Sequence, residues 1–257
     1  MSILTGKPIV LVVLGLLLSL CPAGSAAEAA DKKEEKAKTL VWEDDFEERL
    51  PGQLPKGWSR YWGEQGDDQA LVSNINVLEG KRCLLLDRRT GTNKSQWGLC
   101  RPFPDIPKGR AVLEIPFLIH GKGNDVRFCF DIRGEKTINE HLILFSFWEK
   151  RLSFSAKMAE GKKFGRGIVL GENVHDHWHK LVIHLVARDS GKGGGKLKVA
   201  LYKKDGKGWK LVKLAEKDGV VPPRKRYGLI MLNTLPYKRN YLVYLDHLRL
   251  YKTPRQE

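Results

Sequence analysis

Residues 141–150 read His-Leu-Ile-Leu-Phe-Ser-Phe-Trp-Glu-Lys, and residues 178–187 read Trp-His-Lys-Leu-Val-Ile-His-Leu-Val-Ala. Both stretches are short, rich in aromatic and branched apolar side chains, and bounded by turn residues, as β-strands are. Side chains alternate across a strand. In the first stretch Leu142, Leu144, Ser146 and Trp148 therefore share one face, and His141, Ile143, Phe145 and Phe147 the other. Both faces are apolar, as expected of a central strand covered on both sides. In the second, Leu181, Ile183 and Leu185 face one way with His177 and His179, while Trp178, Val182 and Val186 face the other.

The pattern extends in both directions. Further strands are expected at 40–47, 70–73, 76–78, 82–87, 97–101, 110–120, 126–133, 152–157, 167–170, 196–203, 209–214, 228–233 and 241–251. The last is interrupted at Asp246-His247. Turn signals such as Pro51-Gly52, Glu79-Gly80 and Asp205-Gly206 separate the strands. No stretch keeps a helical stripe for more than two turns. The chain is all-β, and two antiparallel sheets packed face to face absorb its apolar faces.

The chain has 257 residues, of which 42% are hydrophobic and 29% charged. That composition excludes wholesale disorder, and a single long apolar run excludes a multi-span membrane protein. The run, IVLVVLGLLLSL at 9–20, follows Lys7 and precedes small residues at 23–27. This order reads as a signal peptide cleaved near Ala27, implying export to the periplasm, cell surface or extracellular space with no membrane span left after cleavage. Cys21 follows Leu20, where a lipidation site wants Gly, Ala or Ser. Residues 28–39 read as a charged flexible linker and 40–257 as one domain. The formal charge is +15, and the near-neutral linker leaves that excess to the domain. Cys83 and Cys100 lie symmetrically about Gly91-Thr92. If their strands form a hairpin, the two can pair as a disulfide; the alternative is that Cys83, Cys100 and Cys129 are buried free thiols.

The ends carry a resemblance. Val41-Trp42-Glu43-Asp44-Asp45-Phe46-Glu47 with Leu54-Pro55-Lys56-Gly57-Trp58 is similar to the opening of secreted bacterial jelly-roll domains of the concanavalin A-like superfamily. Trp178-His179-Lys180-Leu181-Val182-Ile183 resembles their central strand, and Tyr244-Leu245-Asp246-His247-Leu248-Arg249-Leu250 their closing strand, with His247 where Asn is usual. The resemblance implies a jelly-roll sandwich whose first and last strands lie side by side. It embraces laminin-G-like binding modules and domains described as 3-keto-disaccharide hydrolases. It also implies that Asp45 and Asp246 come together and could hold a structural calcium ion, whose ligands are oxygens; no other cofactor is indicated.

Several groups could carry chemistry. Glu43, Asp45 and Glu47 alternate on one predicted strand, so their carboxylates would share a face, the arrangement from which a glycosidase pair is built; the bland reading is a strand ending in solvated acids. His175, His177 and His179 would line up as metal ligands if the strand began early, but Gly171 and Asn173 put the first half in a turn. Basic clusters, Arg88-Arg89 among them, suit polyanions. No nucleic-acid motif is present. Trp42, Trp58 and Trp178 are expected inside, and Trp62 and Trp97 as ring platforms for sugars. Together these observations imply a glycan-binding module for an acidic polysaccharide, with Trp62, Trp97, Arg88 and Arg89 as contacts. The alternatives are a glycan-cleaving hydrolase or lyase, for which His141 and Tyr237 are available as proton-transfer groups, and a structural envelope protein.

Overall fold

The computed structural model describes residues 38–61, 69–89, 97–102, 110–121, 126–134, 141–158, 167–186, 195–220, 227–234 and 240–253. The expected signal peptide, the linker up to residue 37, Trp62 and Tyr237 lie outside these residues. Thr39, the last residue of the expected linker, pairs with Lys252.

The strands are β1 (Thr39–Asp44), β2 (Ser59–Tyr61), β3 (Gln69–Ser73), β4 (Cys83–Asp87), β5 (Trp97–Pro102), β6 (Arg110–Gly121), β7 (Arg127–Gly134), β8 (His141–Trp148), β9 (Arg151–Ala156), β10 (Ile168–Glu172), β11 (Trp178–Val186), β12 (Gly195–Asp205), β13 (Gly208–Val220), β14 (Tyr227–Thr234), β15 (Tyr241–Leu245) and β16 (Leu248–Thr253). One sheet has nine strands, ordered β13-β12-β11-β6-β15-β4-β3, with β16 also on β6 and β1 on β16. The other has seven, ordered β10-β9-β8-β7-β14-β5-β2. All pairings are antiparallel, and the architecture is a concanavalin A-like jelly-roll sandwich.

Alternation builds the core. Leu113, Ile115 and Phe117 of β6, Leu181, Ile183 and Leu185 of β11, and Val199 and Leu201 of β12 form one inner face. Phe128, Phe130 and Ile132 of β7, Ile143, Phe145 and Phe147 of β8, and Leu152 and Phe154 of β9 form the other. Each such side chain, fully buried, stabilises the fold by about 1.5–3 kcal/mol before entropy is counted. The ends join as expected: β1 pairs with β16 from Thr39↔Lys252 to Asp44↔Leu248. At the junction Trp58 Nε1 donates to Asp44 Oδ2 at 2.7 Å, and Arg101 pairs with the same carboxylate while lying over the Trp42 ring.

β15 and β16 are one strand broken at Asp246-His247. Leu245 faces Phe117 and Arg249 faces Glu114, so four steps on one strand match three on the other. His247 takes up the extra residue at φ 44°, as in a β-bulge. Pro116, which has no N–H to give a ladder, sits opposite this break, and its carbonyl accepts from the Asp246 amide. The proline of a central strand is thus placed where its missing donor has no ladder partner to lose.

Four expectations are corrected. Cys83 and Cys100 are not hairpin partners: β4 and β5 belong to different sheets, and Cys83, Cys100 and Cys129 are all free and buried. β8 is not covered equally on both sides, since Trp148 is exposed and Leu144 and Ser146 are half-buried. Trp178 lies outside the main core, against Leu118 and Tyr244 on the outer face of the nine-stranded sheet. Residues 76–78 form a bend and not a strand.

His179 is buried against Phe117, with ring centroids 5.6 Å apart, and its Nδ1 donates to the His177 carbonyl. Burial pushes its pKa from 6.5 down to about 4. The unfolded chain therefore binds the extra proton between those values, and stability is lost as pH falls through that window, by about 3 kcal/mol once both states are protonated. Urea unfolding at pH 7 and pH 4.5 should show this loss, and His179→Gln should flatten the His-dependent part of the slope.

Candidate functional site

On β7, Phe128, Phe130 and Ile132 point into the core, so Cys129, Asp131 and Arg133 point to the outer face of the seven-stranded sheet. Asp131 and Arg133 are nonetheless almost completely buried. Asp131 Oδ2 accepts from Arg133 Nε and from His141 Nδ1, both at 2.6 Å. His141 reaches this carboxylate because of a local irregularity. Ile132 faces Ile143, but Arg133 faces His141, so Leu142 is an extra residue on β8. Leu142 turns into the core, and His141 moves to the face opposite the one that plain alternation gives it. A bulge re-aims side chains in this way. The imidazole remains 36% exposed while Asp131 beneath it is fully buried. A carboxylate accepting from Nδ1 leaves Nε2 as the basic ring nitrogen, an arrangement suited to proton transfer or to donating toward an anionic group.

Asn233 of β14 lies across from Cys129 on β7 and Gly98 on β5. It too is buried. Asn233 Oδ1 and Asp131 Oδ1 have no hydrogen-bond partner among the described residues, which is costly for buried polar atoms. Gly98 makes room for the amide: a Cβ there would stand 2.6 Å from both Asn233 Oδ1 and the Leu232 carbonyl. Cys129 Sγ lies 3.9 Å from Ser146 Oγ, and burial pushes its thiol up to about 12, so it is no nucleophile at neutral pH. The site is a buried ion pair and amide beneath one solvent-reaching imidazole.

The residues singled out in the sequence are placed elsewhere. Glu43, Asp45 and Glu47 do not share a face, because β1 ends at Asp44 and Phe46 turns the chain at φ 61°. Glu43 Oε1 accepts from His247 Nδ1 at 2.8 Å and Arg249 Nε at 2.6 Å, and Glu47 accepts from the amides of Lys81 and Arg82. Glu43 and Asp45 border a cleft of about 280 Å³ at the terminal strands, lined also by Asp44, Lys56 and Arg101. Asp45 Oδ1 accepts from the Glu47 amide. Asp246 is fully buried, with Oδ2 accepting from the amides of Leu78 and Glu79; burial raises its pKa to about 6. Asp246 Oδ1 has no hydrogen-bond partner among the described residues, though His247 Nε2 lies 3.9 Å away; such an oxygen suits a cation. Two carboxylates alone fall short of a calcium shell of six to eight oxygens, and no three His, Cys, Asp or Glu side chains converge on a metal position among the described residues.

The histidines do not line up, since β11 begins at Trp178 and Asp176 turns the chain at φ 57°. His175 Nε2 instead donates to the Glu149 carbonyl. Arg88, expected at a binding surface, is fully buried and donates from Nη1 to Thr234 Oγ1. Arg89 is exposed and held by Asp87 through Nε and Nη2 at 3.1 and 2.8 Å. Trp97 lies in β5, with its side chain outside the described residues. Asp131, Arg133 and Asn233 went unnoticed in the sequence. Their one signal was polar residues at alternate positions of otherwise apolar strands, Arg-Phe-Cys-Phe-Asp-Ile-Arg at 127–133 and Met-Leu-Asn at 231–233.

No family model and no curated protein matches this chain. Solved structures share its fold. A PL-14 alginate lyase from the marine Aplysia kurodai superposes with a TM-score of 0.56 at 12% identity, covering 84% of this chain and 100% of that one. A carbohydrate esterase from the Shiga toxin-encoding bacteriophage phi24B gives 0.53 at 14% identity, with 84% and 100% covered. The lectin UEA-II, complexed with galactose, gives 0.51 at 8% identity, with 82% and 98% covered. At these identities the likeness establishes the fold alone.

The fit of Gly98 under Asn233 is testable. Gly98→Ala should destabilise the protein by roughly 1–3 kcal/mol, read as a lowered urea midpoint. Gly98→Ala combined with Asn233→Ala should lose less than the sum, because the two side chains compete for one space.

Proposed function

We propose that the protein is an exported glycan-binding module for an acidic polysaccharide, with the outer face of the seven-stranded sheet as its binding surface. The observation that carries this reading is the set of buried polar groups there, Asp131, Arg133 and Asn233, two of them with an oxygen lacking a hydrogen-bond partner among the described residues, topped by the partly exposed imidazole of His141. Burying such groups costs stability without helping the fold, which suits a surface shaped for a polar ligand. The formal charge of +15 favours an anionic one, and the apolar run at 9–20 before Ala27 supports export. A lyase, an esterase and a lectin on the same fold make a glycan a fitting ligand. A calcium ion at Asp45 and Asp246 would have a structural role there, apart from this face.

Binding without cleavage is the first reading, because the carboxylate at the centre of the face cannot act on a sugar. Asp131 is fully buried and bonded to Arg133, whereas hydrolysis uses two carboxyl groups flanking the glycosidic bond. The His141–Asp131 contact favours a second reading, elimination from a uronate. Neutral His141 would take the proton α to the sugar carboxylate, the electrons would form the C=C bond, and the C–O bond to the leaving sugar would break, with that oxygen taking a proton from solvent.

Affinity electrophoresis through gels containing alginate, pectate, hyaluronate or neutral glucan separates the readings. Retardation by an anionic gel, weakened by added salt and reduced about tenfold in affinity by His141→Ala, is the expected result. Equal mobility in every gel would refute binding. Unsaturated uronate, seen by its ultraviolet absorbance with the wild type and absent with His141→Ala, would replace the first reading by the second.

A further inference from the structure

The outer face that holds His141 continues along β8 and β9 to an exposed aromatic residue. By register Leu144 faces Ser155, Ser146 faces Ser153 and Trp148 faces Arg151. Ser146, Ser153 and Ser155 are half-buried. Their small side chains make a low strip between taller groups, and their hydroxyls can each donate and accept. At its far end the Trp148 ring is 54% exposed, whereas Trp58 is buried. A cleft of about 730 Å³ opens beside it, lined by Trp148, Arg151, Ser153 and Glu172 among others. Arg151 and Glu172 are paired at 3.3 Å and are both exposed, so this charged rim is wet and open to exchange. The seven residue steps from His141 to Trp148 span roughly 20 Å of strand.

We propose that Trp148 is a sugar-stacking platform, and that the ligand is an oligomer lying along β8 with one ring on the indole, the next over the serine strip, and a more distant one at His141. A flat ring half in water presents an apolar face and a polar edge, as a pyranose does on its own two aspects. Hydroxyls on the floor match the equatorial oxygens of the sugar beside it. Arg151 stands at the aromatic end, where a carboxylate-bearing sugar can exchange for Glu172. The consequence is length discrimination: a disaccharide cannot touch both ends, and a longer chain can. This inference rests on the glycan-binding reading above, and deepens it by assigning the direction of the chain and a minimum length.

The test is calorimetric titration with saturated alginate oligomers of graded length, alongside cello-oligomers as the neutral series. For the wild type, affinity should rise with length until the chain spans both ends. Trp148→Ala should lower the affinity for long oligomers about tenfold and leave the shortest ones at His141 unchanged, removing the length dependence; Trp148→Phe should restore most of it. Ser155→Phe, which fills the floor at the position facing Leu144, further from Trp148, should give the same loss. Melting curves matching the wild type show that each variant is folded. Long oligomers bound equally by wild type and Trp148→Ala, with loss only in His141→Ala, would overturn the platform while leaving the face as the binding surface. No binding of either series by the wild type would overturn both.

Discussion

A strand has two faces, and in this protein the inner face of each central strand is committed to one apolar layer shared by two sheets. Phe117 meets Phe147 edge to face at 5.0 Å, and Phe130, Phe145 and Phe154 follow one another at ring separations of 6.0 Å. Because this layer is close-packed, each strand's register is set: a slip of one residue would exchange its whole core set for its outer set. The departures from alternation are therefore local. Two of them bear on the site and the closure, at Leu142, where His141 is re-aimed, and at Asp246-His247, where the last strand passes Pro116.

With the inner faces committed, the outer faces are where the two sheets differ. On the nine-stranded sheet the half-buried Lys180 is matched to its neighbours. Lys180 bonds Glu114 at 3.2 Å and sits 5.0 Å from the Trp209 ring and 5.9 Å from Tyr202. Such contacts cover an apolar sheet with long side chains and cost little. The seven-stranded sheet instead buries Asp131, Arg133 and Asn233 on its outer side, where truncation of any one strands its neighbours. A sheet face built only to be solvated has no need of that cost.

The closure of the sandwich has its own polar frame. Glu43, His247, Arg249 and Glu79 form a continuous chain of contacts, with Arg249 Nη2 donating to Glu79 at 2.8 Å, and their partial exposure keeps each pair's contribution small. Their role is register more than strength. They hold β1 against β16, so that Glu43, quoted in the sequence as a catalytic candidate, is engaged in joining the chain ends, while Asp246 holds the amides of Leu78 and Glu79. Burial raises the Asp44 carboxyl even with Arg101 beside it, which marks that junction as desolvated.

The sequence by itself determined the fold class and most strand positions, because period-two alternation and turn chemistry are local properties of the chain; the pairing of the first and last strands was implied by the resemblance of its end motifs. It also singled out His141, though only as an available base. It did not contain the bulge at Leu142, since a single extra residue shows only when the partner strand β7 is laid beside β8. Nor could it foretell that Arg88 is buried or that Cys83 and Cys100 belong to different sheets, for burial and sheet membership depend on segments far apart in the chain. Asp131, Arg133, His141 and Asn233 come from three strands and meet only when β7, β8 and β14 lie side by side. That meeting belongs to the tertiary structure alone, because hydrogen-bond geometry between separate strands is set by the packing of the whole layer and not by any short stretch of residues.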